Sequence, residues 1–90
     1  HNLYQNYPNP FNPFTTIGYD LPKNAFVNII IYDMMGRQVA TLISDQQSAG
    51  HKSVQWNATH HKGEPVSAGI YLYMIQVGDF RQVKKMILIK

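Results

Sequence analysis

The fold is decided by residues 69–89, which read GIYLYMIQVGDFRQVKKMILI. In the first half of this stretch large apolar residues recur at every second position, including Tyr71, Tyr73 and Ile75. A period of two is that of a β-strand with one buried face. The pair Gly78-Asp79 is typical of a two-residue turn between antiparallel strands, and a second apolar run follows it. Residues 69–89 therefore predict an antiparallel β-hairpin.

The rest of the chain repeats this pattern in shorter pieces. Residues 16–21, 26–33 and 52–57 are predicted strands, and a shorter one runs from Arg37 to Ile43 before a polar loop over residues 44–50. No segment has the 3.6-residue apolar spacing of a helix. About seven short strands separated by turns predict an all-β chain, folded as an antiparallel β-sandwich. The predicted core includes Ile17, Val27, Ile29, Ile31, Trp56, Tyr71 and Tyr73.

Residues 1–14 form a proline-rich lead-in to the predicted sandwich, which spans residues 15–90. Positions 6–13 read NYPNPFNP. Each proline removes a hydrogen-bond donor and restricts the residue before it, so this segment cannot be a central strand. We expect the lead-in to run along an edge or across one end of the sandwich, with Phe11 and Phe14 inserted into the core.

Composition limits the classes of function that the chain can serve. Its 90 residues suffice for one domain, and the absence of cysteine excludes a disulfide framework and a thiolate nucleophile. No apolar run approaches the roughly 20 residues of a membrane-spanning helix. The formal net charge is +3, but the basic residues do not form the stripe that would indicate nucleic-acid binding. Because the chain begins at His1 rather than Met, we expect it to be a processed piece or the tail domain of a longer protein.

No set of residues predicts catalysis. Glu64 is the only glutamate, no serine lies in a nucleophile elbow, and no glycine-rich loop opens a helix. His60 and His61 adjoin in a loop without a cysteine or a well-spaced acid, so we interpret them as solvated residues rather than metal ligands. We therefore expect no enzyme activity, no cofactor and no metal. A carbohydrate-binding function would require exposed aromatic rings, whereas their alternating positions favour core packing.

The C-terminal end of the chain is basic. Four of the eight basic residues lie in the last ten positions, which contain no acid. Lysines on an edge strand protect it against pairing with other molecules, and a charged tag read by a receptor is the functional alternative. Composition does not distinguish these two interpretations.

Five spaced motifs give the chain a resemblance to a known family. In order they are Asn6–Pro13 with Thr15 and Ile17, Ile31–Val39, Ala49–Trp56, Gly63–Tyr73 and Lys85–Lys90. Together they resemble the type A C-terminal sorting domain of the type IX (Por) secretion system, over essentially the whole chain. The immunoglobulin-like domain of the flagellar hook-capping protein is related and shares the central motifs. The proline-rich opening and the lysine-bracketed end favour the sorting domain, although Ala68 stands where serine is common.

The resemblance implies an immunoglobulin-like sandwich that serves as the export address of a cargo protein preceding it. In this family the cargo reaches the periplasm of a Gram-negative bacterium and crosses the outer membrane through a translocon to the cell surface or the medium. A shuttle protein recognises the domain, and a sortase commonly removes it. The recognition motif that the resemblance transfers consists of Asn9, Pro10, Phe11, Asn12, Pro13, Gly69, Tyr71, Lys85 and Lys90.

Local chemistry adds two expectations about that motif. Gly69 would permit a bulge or a close backbone approach at the start of its strand, with Tyr71 packed beside it. Lys85 and Lys90 are five positions apart and would face opposite sides of an unbroken strand. One alternative function is an adhesive or filament-forming immunoglobulin-like module, whose edge strands would pair with neighbouring molecules. The other is a carbohydrate-binding accessory domain of a surface protein.

Overall fold

Seven β-strands and no helix make up the protein, in a computed structural model that describes residues 1–90. The strands are β1 (Asn2–Leu3), β2 (Thr15–Leu21), β3 (Ala25–Tyr32), β4 (Gln38–Gln47), β5 (Gly50–Trp56), β6 (Gly69–Val77) and β7 (Phe80–Leu88). One sheet has the order β1-β2-β5 and the other the order β4-β3-β6-β7, with every neighbouring pair antiparallel. The predicted all-β sandwich of about seven strands is confirmed. The structure contains no helix with the length and hydropathy of a membrane span.

The core lies between the two sheets and is supplied by alternate positions of the strands. In β3, Val27, Ile29 and Ile31 are fully buried, while the residues between them are half-buried. Trp56 and Tyr73 are only 2% and 0% exposed. All seven residues predicted for the core are buried. Burial of this apolar area is the main force that holds the two sheets together.

Glycines occupy the turn positions that require a positive φ. Gly78 has a φ of +58° in the two-residue turn between β6 and β7, as the sequence predicted. Gly36 has a φ of +84° and donates its N–H to the carbonyl of Asp33 at 3.0 Å. Glycine adopts this left-handed conformation without the steric cost of a side chain. The Asp33 carboxylate closes the same turn by accepting a hydrogen bond from the backbone N–H of Met35 at 2.9 Å.

The polar stretch after Ile43 continues as a strand to Gln47, and β5 begins at Gly50, so the loop predicted over residues 44–50 is reduced to Ser48 and Ala49. Residues 44–47 continue β4 and pair with β3 as far as Ala25. The Ser44 hydroxyl also donates to the Asn28 side chain across the two strands at 2.8 Å. As an edge strand, β4 pairs on one side only, so polar side chains can face solvent without interrupting the ladder.

Phe14 was also placed wrongly in the core. Its side chain is 51% exposed, whereas that of Phe11 is 1% exposed as predicted. Thr15 opens β2 and takes the inward position, with 1% exposure. Successive side chains of extended chain point to opposite faces, so an inward Thr15 turns Phe14 toward solvent.

Candidate functional site

The lead-in joins the two sheets at one side of the sandwich. At its start, β1 pairs with β2 through Asn2 and Leu3. Further along, Tyr7 exchanges two backbone hydrogen bonds of 2.9 Å with Thr16 of β2. The chain then crosses to the other sheet, where Phe11 forms a parallel bridge with Leu88 of β7. The lead-in therefore runs along the edges of both sheets, as its prolines indicated.

The crossing segment covers the open edge of β7 near the C-terminus. The N–H of Phe11 donates to the carbonyl of Ile87 at 3.0 Å, and the N–H of Ile89 donates to the carbonyl of Phe11 at 2.9 Å. The Asn9 side-chain oxygen accepts from the N–H of Ile87 at 2.9 Å. The Gln5 side-chain amide donates to the carbonyl of Lys85 at 2.8 Å. These four bonds satisfy backbone groups that would otherwise be left unpaired at an edge strand.

A buried polar cluster holds the prolines in place. The Pro8 carbonyl accepts hydrogen bonds from the Asn6 amide at 3.2 Å and from the Thr15 hydroxyl at 2.9 Å. Asn6 also donates to the Thr15 hydroxyl at 2.9 Å, and these two side chains are the only buried polar ones. This role of Asn6 and Thr15 was not predicted from the sequence. The available signal was the prolines, which supply carbonyl acceptors and no N–H donors, so that nearby side chains must donate instead.

Tyr73 fastens the lead-in to the four-stranded sheet. Its hydroxyl accepts a hydrogen bond from the N–H of Asn6 at 2.8 Å and donates one to the carbonyl of Tyr4 at 2.8 Å. Burial raises the pKa of the Tyr73 phenol to about 12, and the bond from Asn6 opposes that rise. The sequence placed this ring in the core but gave no sign of its hydroxyl's two partners.

Gly69 and Tyr71 have architectural roles. Gly69 has a φ of +152°, a conformation that side-chain-bearing residues rarely adopt, yet no atom lies within 4 Å of an added Cβ. Backbone conformation, rather than the expected close approach, is thus the reason for glycine here. The Tyr71 hydroxyl donates to the carbonyl of Ser67 at 2.6 Å. Its ring packs against Trp56, with ring centroids 5.4 Å apart, and Trp56 in turn lies 5.8 Å from the ring of Phe11.

The structure divides the nine transferred motif residues into two groups. Phe11 and Tyr71 are buried, and Gly69 is half-buried. Six are exposed: Asn9, Pro10, Asn12, Pro13, Lys85 and Lys90. The parallel register of Phe11 with Leu88 brings the exposed proline segment and the terminal residues to the same edge. Lys85 and Lys90 were expected to face opposite sides of one unbroken strand. The strand ends at Leu88, so Lys90 lies beyond it and this expectation does not apply.

Several polar side chains also line a cleft elsewhere in the domain. A shallow cleft of about 650 Å³ lies between the Asp33–Gly36 turn and the loop over residues 60–67. Four of its lining side chains form two pairs: Arg37 with Asp33 at 2.9 Å, and His60 with Glu64 at 3.2 Å. No group of three or more His, Cys, Asp or Glu residues is placed to hold a metal ion.

The buried aromatic rings also bear on carbohydrate binding. Phe11, Tyr19, Trp56, Tyr71 and Tyr73 lie in the core. The exposed rings are those of Tyr4, Tyr7 and Phe14 in the lead-in and of Phe26 in β3. A sugar-stacking platform built on Trp56 is therefore not available.

Solved structures confirm the fold. The chain is similar to part of dimeric latent PorU from Porphyromonas gingivalis, with a TM-score of 0.75 and 23% identity over 94% of this chain and 9% of that one. PorZ, described as an essential bacterial surface component of the type IX secretion system of P. gingivalis, gives a TM-score of 0.67 and 24% identity over 98% of this chain and 11% of that one. FlgD from P. aeruginosa gives 0.65 and 23% over 82% of this chain and 58% of that one.

The protein-family comparison covers nearly the whole chain. The model of the secretion system C-terminal sorting domain matches residues 5–90, a span that includes the proline segment, the Gly69–Tyr71 motif and the terminal lysines. No curated protein matches the chain. The chain therefore belongs to the family of secretion system C-terminal sorting domains.

Proposed function

We propose that this domain is the address by which the type IX secretion system of a Gram-negative bacterium exports the cargo protein that carries it. The cargo precedes the domain, enters the periplasm, and reaches the cell surface or the medium through the outer membrane. The partners of the domain are a shuttle protein, the translocon and a sortase. The domain itself acts as a folded signal and catalyses no reaction.

One observation carries this proposal. The proline segment and the last strand, which lie at opposite ends of the sequence, form one hydrogen-bonded edge. Pro10, Asn12, Pro13 and Lys90 are exposed along that edge, while Phe11 anchors it in the core. An address read by a receptor needs exposed groups held in a fixed arrangement, because flexible groups would lose conformational entropy on binding.

Transfer of export to an unrelated protein tests the proposal. Residues 1–90 are fused behind a periplasm-directed fluorescent reporter in a host that has the type IX machinery. We expect the fusion to reach the surface or medium, and the reporter without the domain to stay in the periplasm. A matched host that lacks the translocon should retain the fusion. Equal retention of both proteins in the complete host would contradict the proposal.

A further inference from the structure

The outer face of the four-stranded sheet carries an apolar patch. Three strands place Ile30, Met74 and Val83 side by side in one row across the sheet, and Ile70 lies opposite Ile87 on β6 and β7. These residues alternate with the core-facing positions and so point away from the sandwich. Val83, Ile70 and Ile87 are 49%, 40% and 38% exposed.

Met74 lies at the centre of the row that it forms with Ile30 and Val83. Its side chain is only 7% exposed, yet it does not belong to the core cluster between the sheets. Neighbouring side chains on the outer face must therefore cover it, as in a small second cluster. Large exposed apolar patches on soluble domains mark interaction surfaces.

Two cations border the patch on β7. On β7, Arg81 and Lys85 flank Val83 at two-residue spacing on the same face. At roughly 3.4 Å per residue the two positions are about 14 Å apart along the strand. The rows that cross β3 and β6 at these positions contain Asn28 with Gln76 and Tyr32 with Leu72, and none of these four is charged.

We propose that this outer face is a docking surface for a protein partner whose own apolar patch is bordered by carboxylates. The inference rests on the proposed function, since the partner would be the component of the export machinery that reads the domain. Charge complementarity identifies the partner's chemistry: Arg81 and Lys85 need carboxylates, and Val83 between them needs an apolar neighbour.

The same features argue against two other occupants. A second copy of this chain would bring the same face, which has no carboxylate to pair with Arg81 or Lys85. An anionic membrane surface is typically bound by clusters of four to eight Lys and Arg residues, and this face has two beside the uncharged Gln76. A protein with paired apolar and acidic groups fits the face better than either.

Competition for export tests the surface. The domain without cargo is overproduced in the periplasm of the type IX host while delivery of the reporter fused to the parent domain is measured. We expect the parent competitor to lower delivery about tenfold, and a competitor with Arg81→Glu and Lys85→Glu or with Val83→Asp to have little effect. The control is Lys84→Glu, which changes the same charge on the opposite face of β7 and should compete like the parent.

Folding of each competitor is checked by circular dichroism and thermal unfolding. If a charge-reversed variant fails to fold, the neutral pair Arg81→Gln with Lys85→Gln replaces it. Competition by the folded face variants equal to that of the parent would overturn this inference and leave the proposed function intact. Failure of the parent fusion to be exported at all would instead overturn the proposed function, and this inference with it.

Two further measurements test whether a second copy of the chain or a lipid surface occupies this face instead. Analytical ultracentrifugation of the parent domain should show a monomer, and a dimer that Val83→Asp disperses would make a second copy the occupant. Sedimentation with vesicles of phosphatidylcholine and phosphatidylglycerol should leave the domain in solution. Vesicle binding that Arg81→Glu with Lys85→Glu abolishes would make a lipid surface the occupant. Either result would contradict the inference.

Discussion

The side-chain oxygen of Asn9 accepts a hydrogen bond from the backbone N–H of Ile87 at 2.9 Å and so joins segments 78 residues apart. The bond occupies a ladder position on β7 that a neighbouring strand would otherwise fill. The Asn9 side-chain oxygen thus takes the place of the backbone carbonyl that a neighbouring strand would offer to this N–H. The proline segment and the terminal strand are consequently one structural unit.

Removal of the Asn9 amide should weaken that unit measurably. We expect Asn9→Ala to lower the free energy of unfolding by about 0.5–1.5 kcal/mol, the net contribution of one hydrogen bond. Asn12→Ala is the matched control, because Asn12 is exposed in the same segment and its side chain forms no hydrogen bond. Urea denaturation measures both, and equal stability of the two variants would show that the Asn9 bond contributes nothing.

The Tyr73 hydroxyl should contribute to the free energy of unfolding through both of its hydrogen bonds. Tyr73→Phe leaves the N–H of Asn6 and the carbonyl of Tyr4 without their partner. Unsatisfied buried groups cost about 1–3 kcal/mol, so we expect a loss of that size in the free energy of unfolding. Tyr32→Phe serves as the control, since the Tyr32 hydroxyl has no hydrogen-bond partner. A loss no greater in Tyr73→Phe than in Tyr32→Phe would contradict this role.

The raised pKa of Tyr73 predicts a loss of stability in alkali. The phenol has a pKa of about 12 in the folded chain against an ordinary value of 10.0. The folded state holds the proton of the Tyr73 phenol more tightly than the unfolded state does. The resulting contribution to the free energy of unfolding is therefore complete below pH 10 and is lost as the pH rises through about 12. The difference corresponds to about 2–3 kcal/mol. The midpoint of denaturation, measured between pH 8 and 12, should fall more steeply with pH for the parent than for Tyr73→Phe. An equal dependence on pH in the two proteins would contradict the raised pKa of Tyr73.

Two aromatic residues should differ sharply in their contribution to stability. Trp56 is 2% exposed and packs between Phe11 and Tyr71, so Trp56→Ala should cost about 3–5 kcal/mol. Phe14 is 51% exposed, and Phe14→Ala should stay within about 0.5 kcal/mol of the parent. Chemical denaturation of the two variants checks both values. A near-neutral Trp56→Ala would mean that the indole is exposed, and carbohydrate binding would regain support.

Adjacent residues of β7 should respond oppositely to a buried charge. Met86 is fully buried, so Met86→Asp should prevent folding, because the carboxylate would lie in the core without a partner. Ile87 is 38% exposed on the outer face, and Ile87→Asp should leave the domain folded. Circular dichroism distinguishes the outcomes. Loss of the β-sheet signal in Ile87→Asp alone would reverse the orientation of the strand.

The sequence predicted those parts of the structure that depend on local alternation. Val27, Ile29 and Ile31 had to share a face once β3 was recognised, because successive side chains point to opposite sides. The extension of β4 past Ile43 could not be predicted in this way, because the residues that follow are all polar and show no alternation of apolar and polar positions. Phe14 was misplaced because its direction depends on where β2 begins, and apolar character alone does not fix that position.

The candidate site was predictable only in its membership. The resemblance identified Asn9 and Lys85 as motif residues, but their placement at one edge depends on a contact between the two ends of the chain. No local pattern encodes a hydrogen bond between Asn9 and Ile87, and the motif that contains Asn6 and Thr15 gave no sign that their side chains would be buried together. Tertiary packing of the lead-in, rather than propensity, determines all of these.

We propose that the terminal lysines, Lys85 and Lys90, are read as part of the address and do not support the fold. The most direct test measures surface delivery of the reporter fusion together with the melting temperature of the domain, for Lys85→Ala with Lys90→Ala and for the control Lys23→Ala with Lys62→Ala. All four side chains are exposed, so both melting temperatures should stay close to that of the parent. Delivery should fall only for the first pair, with reporter accumulating in the periplasm. Parental delivery by that pair would show that the lysines merely protect the strand edge, and would contradict the claim.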